Sequence, residues 1–241
     1  SMRLEAMRAA AAMGPSVLDV LQAGAEDRDA FVRAEAVRAL AANSGAGAAK
    51  VLPVFETMLR AGDPATRRAG AIALGEVTGA ADSATAILGT VLRQRGESVR
   101  AAAAEAIARI AQRDPKAATP LLEKALADPA HDVHTAAIRG LGAVWAAERS
   151  PAEVAATLEG AEGDSVQRLV ALEALVLQAT QLPDGKDQTR TGAKAKEAKA
   201  LLEKLSSSGP PLARLAAQVG RVFLGARRED MHAFLEKLYG G

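Results

Sequence analysis

The three histidines, at positions 131, 134 and 232, are the first place to look for chemistry in this 241-residue chain. His131 and His134 stand three apart, a spacing that at a helix start could present two imidazoles to one metal ion, with Asp128 and Asp132 as the nearest carboxylates. A durable site also needs outer partners that orient its ligands. There is no Cys, which excludes disulfides, iron–sulfur clusters and thiolate zinc sites. No Gly-x-Ser-x-Gly or His-Glu-x-x-His arrangement occurs. The glycines are scattered rather than gathered into a phosphate cradle. The expectation is therefore no catalytic residue, no metal and no cofactor.

The elements that would position any site are set by a repeat. Its clearest copy is Arg67 to Gly75, Arg-Arg-Ala-Gly-Ala-Ile-Ala-Leu-Gly. With the first basic residue as position zero, copies start at Arg33, Arg67, Arg100, His134 and Arg168, at steps of 34, 33, 34 and 34 residues. A constant step of this size marks stacked supersecondary units. On this register His134 is a polar replacement for an arginine. Position three holds Ala36, Gly70, Ala103, Ala137 or Ala171, and position six Ala39, Ala73, Ala106, Gly140 or Ala174. Position seven is always Leu or Ile. Positions three, four and seven share one helix face, so small residues there predict helices that approach closely, with a large aliphatic side chain filling the gap.

Apolar residues make up 49% of the chain but aromatics only 2%, so the core must be built from Ala, Leu, Val and Ile, which suits such packing. A first helix precedes each patterned one, and Pro53 and Pro120 fall at the same register in two of them, predicting a built-in bend. Asp29, Asp63 and Asp164 lie four residues before Arg33, Arg67 and Arg168, where an Asp caps the helix start. Each is also expected to meet a guanidinium in a ladder along the stack, weakest where Gly96 and Ala130 replace the acid.

The segments Val32–Ala41, Thr66–Gly75, Val99–Ala108, Val133–Gly142 and Gln167–Val176 resemble the second helix of the HEAT repeat, particularly the bacterial kind also found in phycobilin lyases. The resemblance implies an all-α, α-α superhelix of about six helix pairs whose concave surface binds a protein or peptide. Two enzyme types share HEAT-like folds and form alternatives. A DNA glycosylase of this kind would need aromatic faces in a basic channel, and among the larger aromatics only Trp145 and Tyr239 are present. A lyase of the bilin type would need residues that the repeat motif does not carry.

The expected organisation is a capping or truncated repeat helix over residues 1–14, five repeats over 15–182, an exposed loop over 183–193, and a sixth repeat with a C-terminal capping helix over 194–241, all in one continuous solenoid. Ser1-Met2 reads as a tag remnant before a start or cloning Met, leaving open an upstream signal or a longer solenoid. With no apolar run long enough to span a membrane, the expected compartment is the cytoplasm. High Ala with Arg over Lys fits a GC-rich bacterial source.

The partner-binding candidates follow from the helix side away from the Ala-rich face, at positions one, five and nine. They are Arg38, Arg68, Glu76, Glu105, Arg109, Arg139 and Glu173, mixed in sign and interspersed with apolar residues. A phosphate backbone would favour a continuous run of Lys and Arg instead. Trp145 is the sole large residue in a small-residue column and reads either as core filling or as an interface anchor. A nucleic-acid alternative rests on charge: residues 185–241 hold 11 Lys+Arg against 6 Asp+Glu, whereas residues 1–184 hold 19 against 23. Lys194, Lys196, Lys199, Lys204, Arg227 and Arg228 carry that excess.

Overall fold

A spacing of 33 or 34 residues per unit leaves room for two helices of about a dozen residues and two tight turns, and this is what forms. In the computed structural model, which describes residues 2–160, 165–180, 188–209, 213–214 and 217–218, no strand occurs among the described residues. The helices run α1 (Met2–Ala12), α2 (Leu18–Ala25), α3 (Ala30–Ala42), α4 (Ala48–Leu59), α5 (Pro64–Glu76), α6 (Ala81–Val91), α7 (Glu97–Ala111), α8 (Pro115–Ala125), α9 (His131–Glu148), α10 (Pro151–Glu159), α11 (Ser165–Thr180) and α12 (Gln188–Ser208). Two compact units divide within α9, one over Ser1–Ala137 and one over Ile138–Gly241.

In the first unit α2/α3, α4/α5 and α6/α7 are the helix pairs, and α8 pairs with the start of α9. Each second helix buries its small-residue columns. Ala36, Ala39, Gly70, Ala73, Ala103, Ala106 and Ala137 are all buried, as are Leu40, Leu74 and Ile107. The two columns do different jobs. Position three faces the first helix of its own pair: a Cβ on Gly70 would stand 2.9 Å from the Met58 Cβ and 3.2 Å from the Phe55 carbonyl oxygen. Position six faces the preceding second helix: Ala106 abuts Gly75, where a Cβ would stand 2.7 Å from the Ala106 Cα. Close approach thus brings dispersion contact along whole helix lengths without bulky side chains.

The second unit packs α10, α11, α12 and the rest of α9 around Val154, Leu158, Leu172, Leu175, Leu202 and Leu205. Helix α12 already begins at Gln188, six residues before Lys194, and continues through the serines at 206–208. Residues 183–187 of the expected loop lie outside the described residues, as do most of the second helix expected over Leu212–Leu224 and the capping residues Met231, Phe234, Leu235 and Leu238, while 188–193 of that loop fall in α12.

Helix starts follow local chemistry. The Asp29 side chain accepts from the Phe31 backbone N–H at 2.8 Å, and that of Asp63 from Thr66 at 3.0 Å. Hydrogen bonds from Thr66 hold the Asp63 carboxyl below its usual range. Ser150 and Glu153 form a reciprocal capping box at α10. Asp164 lies outside the described residues. Pro53 and Pro120 stand inside α4 and α8, as their shared register anticipates.

Candidate functional site

The basic residue at position zero proves to be a structural anchor. Arg33 donates to the Asp27 and Arg28 carbonyls, Arg67 to those of Ala61 and Gly62, and Arg100 to those of Gln94 and Arg95, all at 2.7–3.2 Å. Each guanidinium so closes the turn that ends its own first helix, whose last carbonyls lack intrahelical partners. It does not pair with the Asp four residues earlier. The expected ladder takes another route and another acid.

Arg100 forms a two-pronged pair with Asp128 of the following repeat, at 2.8 and 2.9 Å, with both side chains only 13% exposed. Arg3 reaches Asp27 in the same way, at 3.5 Å. Asp27 and Asp128 each stand six residues before the reference position. Each also accepts a backbone N–H two residues on, from Asp29 and Ala130, at 2.8 Å. The ladder is therefore well formed at the third repeat, where the absence of an acid at Gly96 predicted a weak point. The signal was present in the sequence as an Asp six residues upstream. The guanidinium of Arg100 holds the Asp128 carboxyl below the ordinary carboxylate range.

On the proposed binding ridge, Arg38, Arg68, Glu76 and Glu105 are exposed and Arg109 is half-buried. Arg38 pairs with Glu35 on its own helix. Arg109 donates to Glu76 at 2.8 Å, bridging α7 and α5 across one repeat step. Alanines at 34, 42 and 69 leave apolar ground between these charges. The second unit differs. Glu173, expected on the same ridge, is only 1% exposed, because the bare backbone of Gly142 admits its Cβ and Cγ: a Cβ on that glycine would lie 2.7 and 2.4 Å from them. Arg139 is half-buried with its Nε enclosed. Leu169 and Leu177, also ridge positions, pack on the core of this unit. Trp145 is half-buried against the same core, with the Arg149 guanidinium carbon 3.5 Å above its ring centroid, a cation–π contact.

His131 is exposed and His134 half-buried, and among the described residues no group of three or more potential ligands is placed to hold a metal. Of the lysines, Lys194 is engaged, donating to the Ala146 carbonyl at 2.6 Å at the end of α9. Lys196, Lys199 and Lys204 are exposed on α12, interspersed with Glu197 and Glu203. Arg227, Arg228, His232 and Tyr239 lie outside the described residues. An open groove of about 700 Å³ runs past Leu52, Val77, Thr78, Asp82, Arg113 and Asp114. Its polar groups serve the scaffold: Arg113 donates to the Gly75 and Val77 carbonyls, and Asp114 caps α8. No helix among the described residues is long and apolar enough to cross a membrane.

The family model described as HEAT repeats matches residues 1–74 and 18–108. No curated protein matches. Among solved structures, the chain is similar to E. coli YibA at 16% identity, over 97% of this chain and 78% of that one, with a TM-score of 0.48. An engineered protein matches at 22% identity over 83% of this chain and 93% of its own, with a TM-score of 0.43. A designed armadillo repeat protein in complex with the peptide (KR)4 matches at 18% identity over 86% and 99%, with a TM-score of 0.40. At these scores the likenesses add nothing to the helix pairs described above. With their register, paired helices and buried small-residue columns, the described residues are all-α, and residues 1–108 match the HEAT-repeat family model.

Proposed function

We propose that this chain is a non-catalytic scaffold that binds a protein or peptide along the exposed ridge of α3, α5 and α7. The observation that carries this reading is the ridge itself. Arg38, Arg68, Glu76, Glu105 and Arg109 stand at successive repeat steps, with both signs present and alanines between them. Such a surface suits an extended partner with alternating charge, contacted additively by successive helices, and it lacks the continuous cation run that a phosphate backbone rewards. The half-buried Arg139 and enclosed Glu173 leave the ridge best developed in the first unit.

The test is a peptide-display selection against the whole chain, followed by calorimetric titration of the selected peptides. The double reversal Arg68→Glu with Glu105→Arg is expected to weaken binding by about tenfold or more, since rim charges act through complementarity. The melting temperature should stay unchanged, because both side chains are exposed. Equal affinity for the parent chain and the double variant would remove this surface from consideration.

A further inference from the structure

Phe31 belongs to the ridge, although it stands two residues before position zero. It precedes Arg38 by seven residues, about two turns, so the two side chains lie within about 20° of each other around α3. Phe31 is 77% exposed, and no missing neighbour accounts for it, because α3 packs against α1, α2 and α5. The ridge of the first unit thus carries an aromatic side chain as well as charges.

Those charges are not equivalent. Arg38 is matched by Glu35 on its own helix, and Arg109 by Glu76 across one repeat step. Arg68 and Glu105 are exposed and enter no ion pair among the described residues, so a partner meets them with their charge uncompensated. An uncompensated charge selects its opposite and penalises its like.

Phe31, Arg68 and Glu105 stand on one diagonal across α3, α5 and α7. The three helices are in register. Thr78 and Ser44, both at position eleven, are hydrogen-bonded at 2.9 Å, and Glu76 and Arg109, both at position nine, at 2.8 Å. From Phe31 to Arg68 is one helix across and three residues along; from Arg68 to Glu105 is one helix across and four along. At about 8–10 Å between helix axes and about 1.5 Å per residue, each step measures roughly 10 Å. The ground beside the diagonal is low, with Ala34 and Ala65 at the first step and Ala69 and the half-buried Ile72 at the second.

A step of roughly 10 Å matches one turn of a polyproline II helix, whose three residues rise about 9 Å and return the side chain to the same face. A β-strand turns residues three apart to opposite faces. An α-helix needs a hydrophobic groove for its apolar face, where this diagonal offers alanines flanked by charge. We propose that the partner of this ridge is a proline-rich segment in the polyproline II conformation, with a proline on Phe31, a carboxylate three residues on at Arg68 and a cation three further on at Glu105. This assignment rests on the ridge being the binding surface. A proline ring stacks on an aromatic face and holds the segment extended before it binds, which lowers the cost of ordering it.

Two isomeric peptides with blocked ends, Pro-Pro-Pro-Glu-Pro-Pro-Arg and Pro-Pro-Pro-Arg-Pro-Pro-Glu, test this by calorimetric titration against the whole chain. The glutamate-centred peptide should bind at least about tenfold more tightly, since its isomer sets arginine against Arg68 and glutamate against Glu105. Arg68→Glu with Glu105→Arg should invert that preference. Phe31→Ala should weaken the preferred peptide by about fivefold or more, as truncation of an interface anchor does, with thermal unfolding unchanged because the side chain is exposed. Equal affinity for the two isomers, no detectable binding of either, or the same preference in the double variant would overturn the proposal. If peptides selected by display lose affinity on the double reversal while the two isomers remain indistinguishable, the ridge stands as the binding surface and the polyproline partner alone is overturned.

Discussion

Gly75→Ala is expected to destabilise the first unit by about 1–3 kcal/mol, the usual cost of overpacking, although alanine is intrinsically the better helix former by about 1 kcal/mol. The deciding contact is with backbone. The added Cβ would stand 2.7 Å from the Ala106 Cα and 3.2 Å from its carbonyl oxygen, atoms that move only if α5 and α7 separate along their lengths. Two other helix glycines serve as controls. At Gly89 the nearest atom is a terminal methyl of Leu121 at 3.1 Å, which can swing aside, so Gly89→Ala should come out near neutral. At Gly192 nothing lies within 4 Å, so the propensity gain of up to about 1 kcal/mol should appear unopposed. Chemical denaturation of the three variants should rank them in that order. A Gly75→Ala chain as stable as the parent would show that helix contact is not what limits this fold.

Arg100→Ala should cost on the order of 2–4 kcal/mol, above the at most 1 of an exposed pair and approaching the 3–5 of a buried one. Removing the guanidinium leaves Asp128 largely enclosed with only the Ala130 N–H, and also frees the carbonyls of Gln94 and Arg95. Arg100→Lys keeps the charge but loses the planar fork, and should recover only part of the deficit. Arg3→Ala, which removes the 3.5 Å contact of a 61% exposed arginine with Asp27, should cost less than about 1 kcal/mol.

The same pair sets an acid limb. Because Arg100 holds the Asp128 carboxyl below its ordinary value, the contribution is complete above the unfolded-state value of about 3.9 and is lost as pH falls through the lower folded-state value. Melting temperature should therefore decline below about pH 4, and Asp128→Asn should flatten that decline while lowering the plateau. Some slope must survive in the variant, since Asp63, Glu35 and Glu153 are also held low, by Thr66, Arg38 and Ser150. An unchanged acid limb in Asp128→Asn would place the acid sensitivity elsewhere.

How far the site was legible follows from the range of the forces involved. Arg38, Arg68, Glu76 and Glu105 are exposed because helical spacing puts positions one, five and nine opposite the Ala-rich face, whereas Arg109, at the same spacing, is half-buried where it reaches Glu76 across one repeat step. Glu173 obeys the same spacing and is nevertheless enclosed, since its exposure depends on what packs beside α11 and on the missing side chain at Gly142. The role of the position-zero arginines was hidden for a related reason. Their partners are turn carbonyls five and six residues back, which carry no side-chain signature.

What the sequence determined by itself is the helix-pair architecture: a repeated step, two columns of Ala and Gly and a column of Leu or Ile are periodic quantities, and periodicity is local enough to read from one chain. What only the tertiary structure decided is which arginine meets which acid, that Gly75, outside the small-residue columns, is where α5 meets the backbone of α7, and that Glu173 is enclosed beside Gly142. These depend on distances between helices about 30 residues apart in the chain, where one missing Cβ or one added carboxylate changes the outcome and no spacing rule records it.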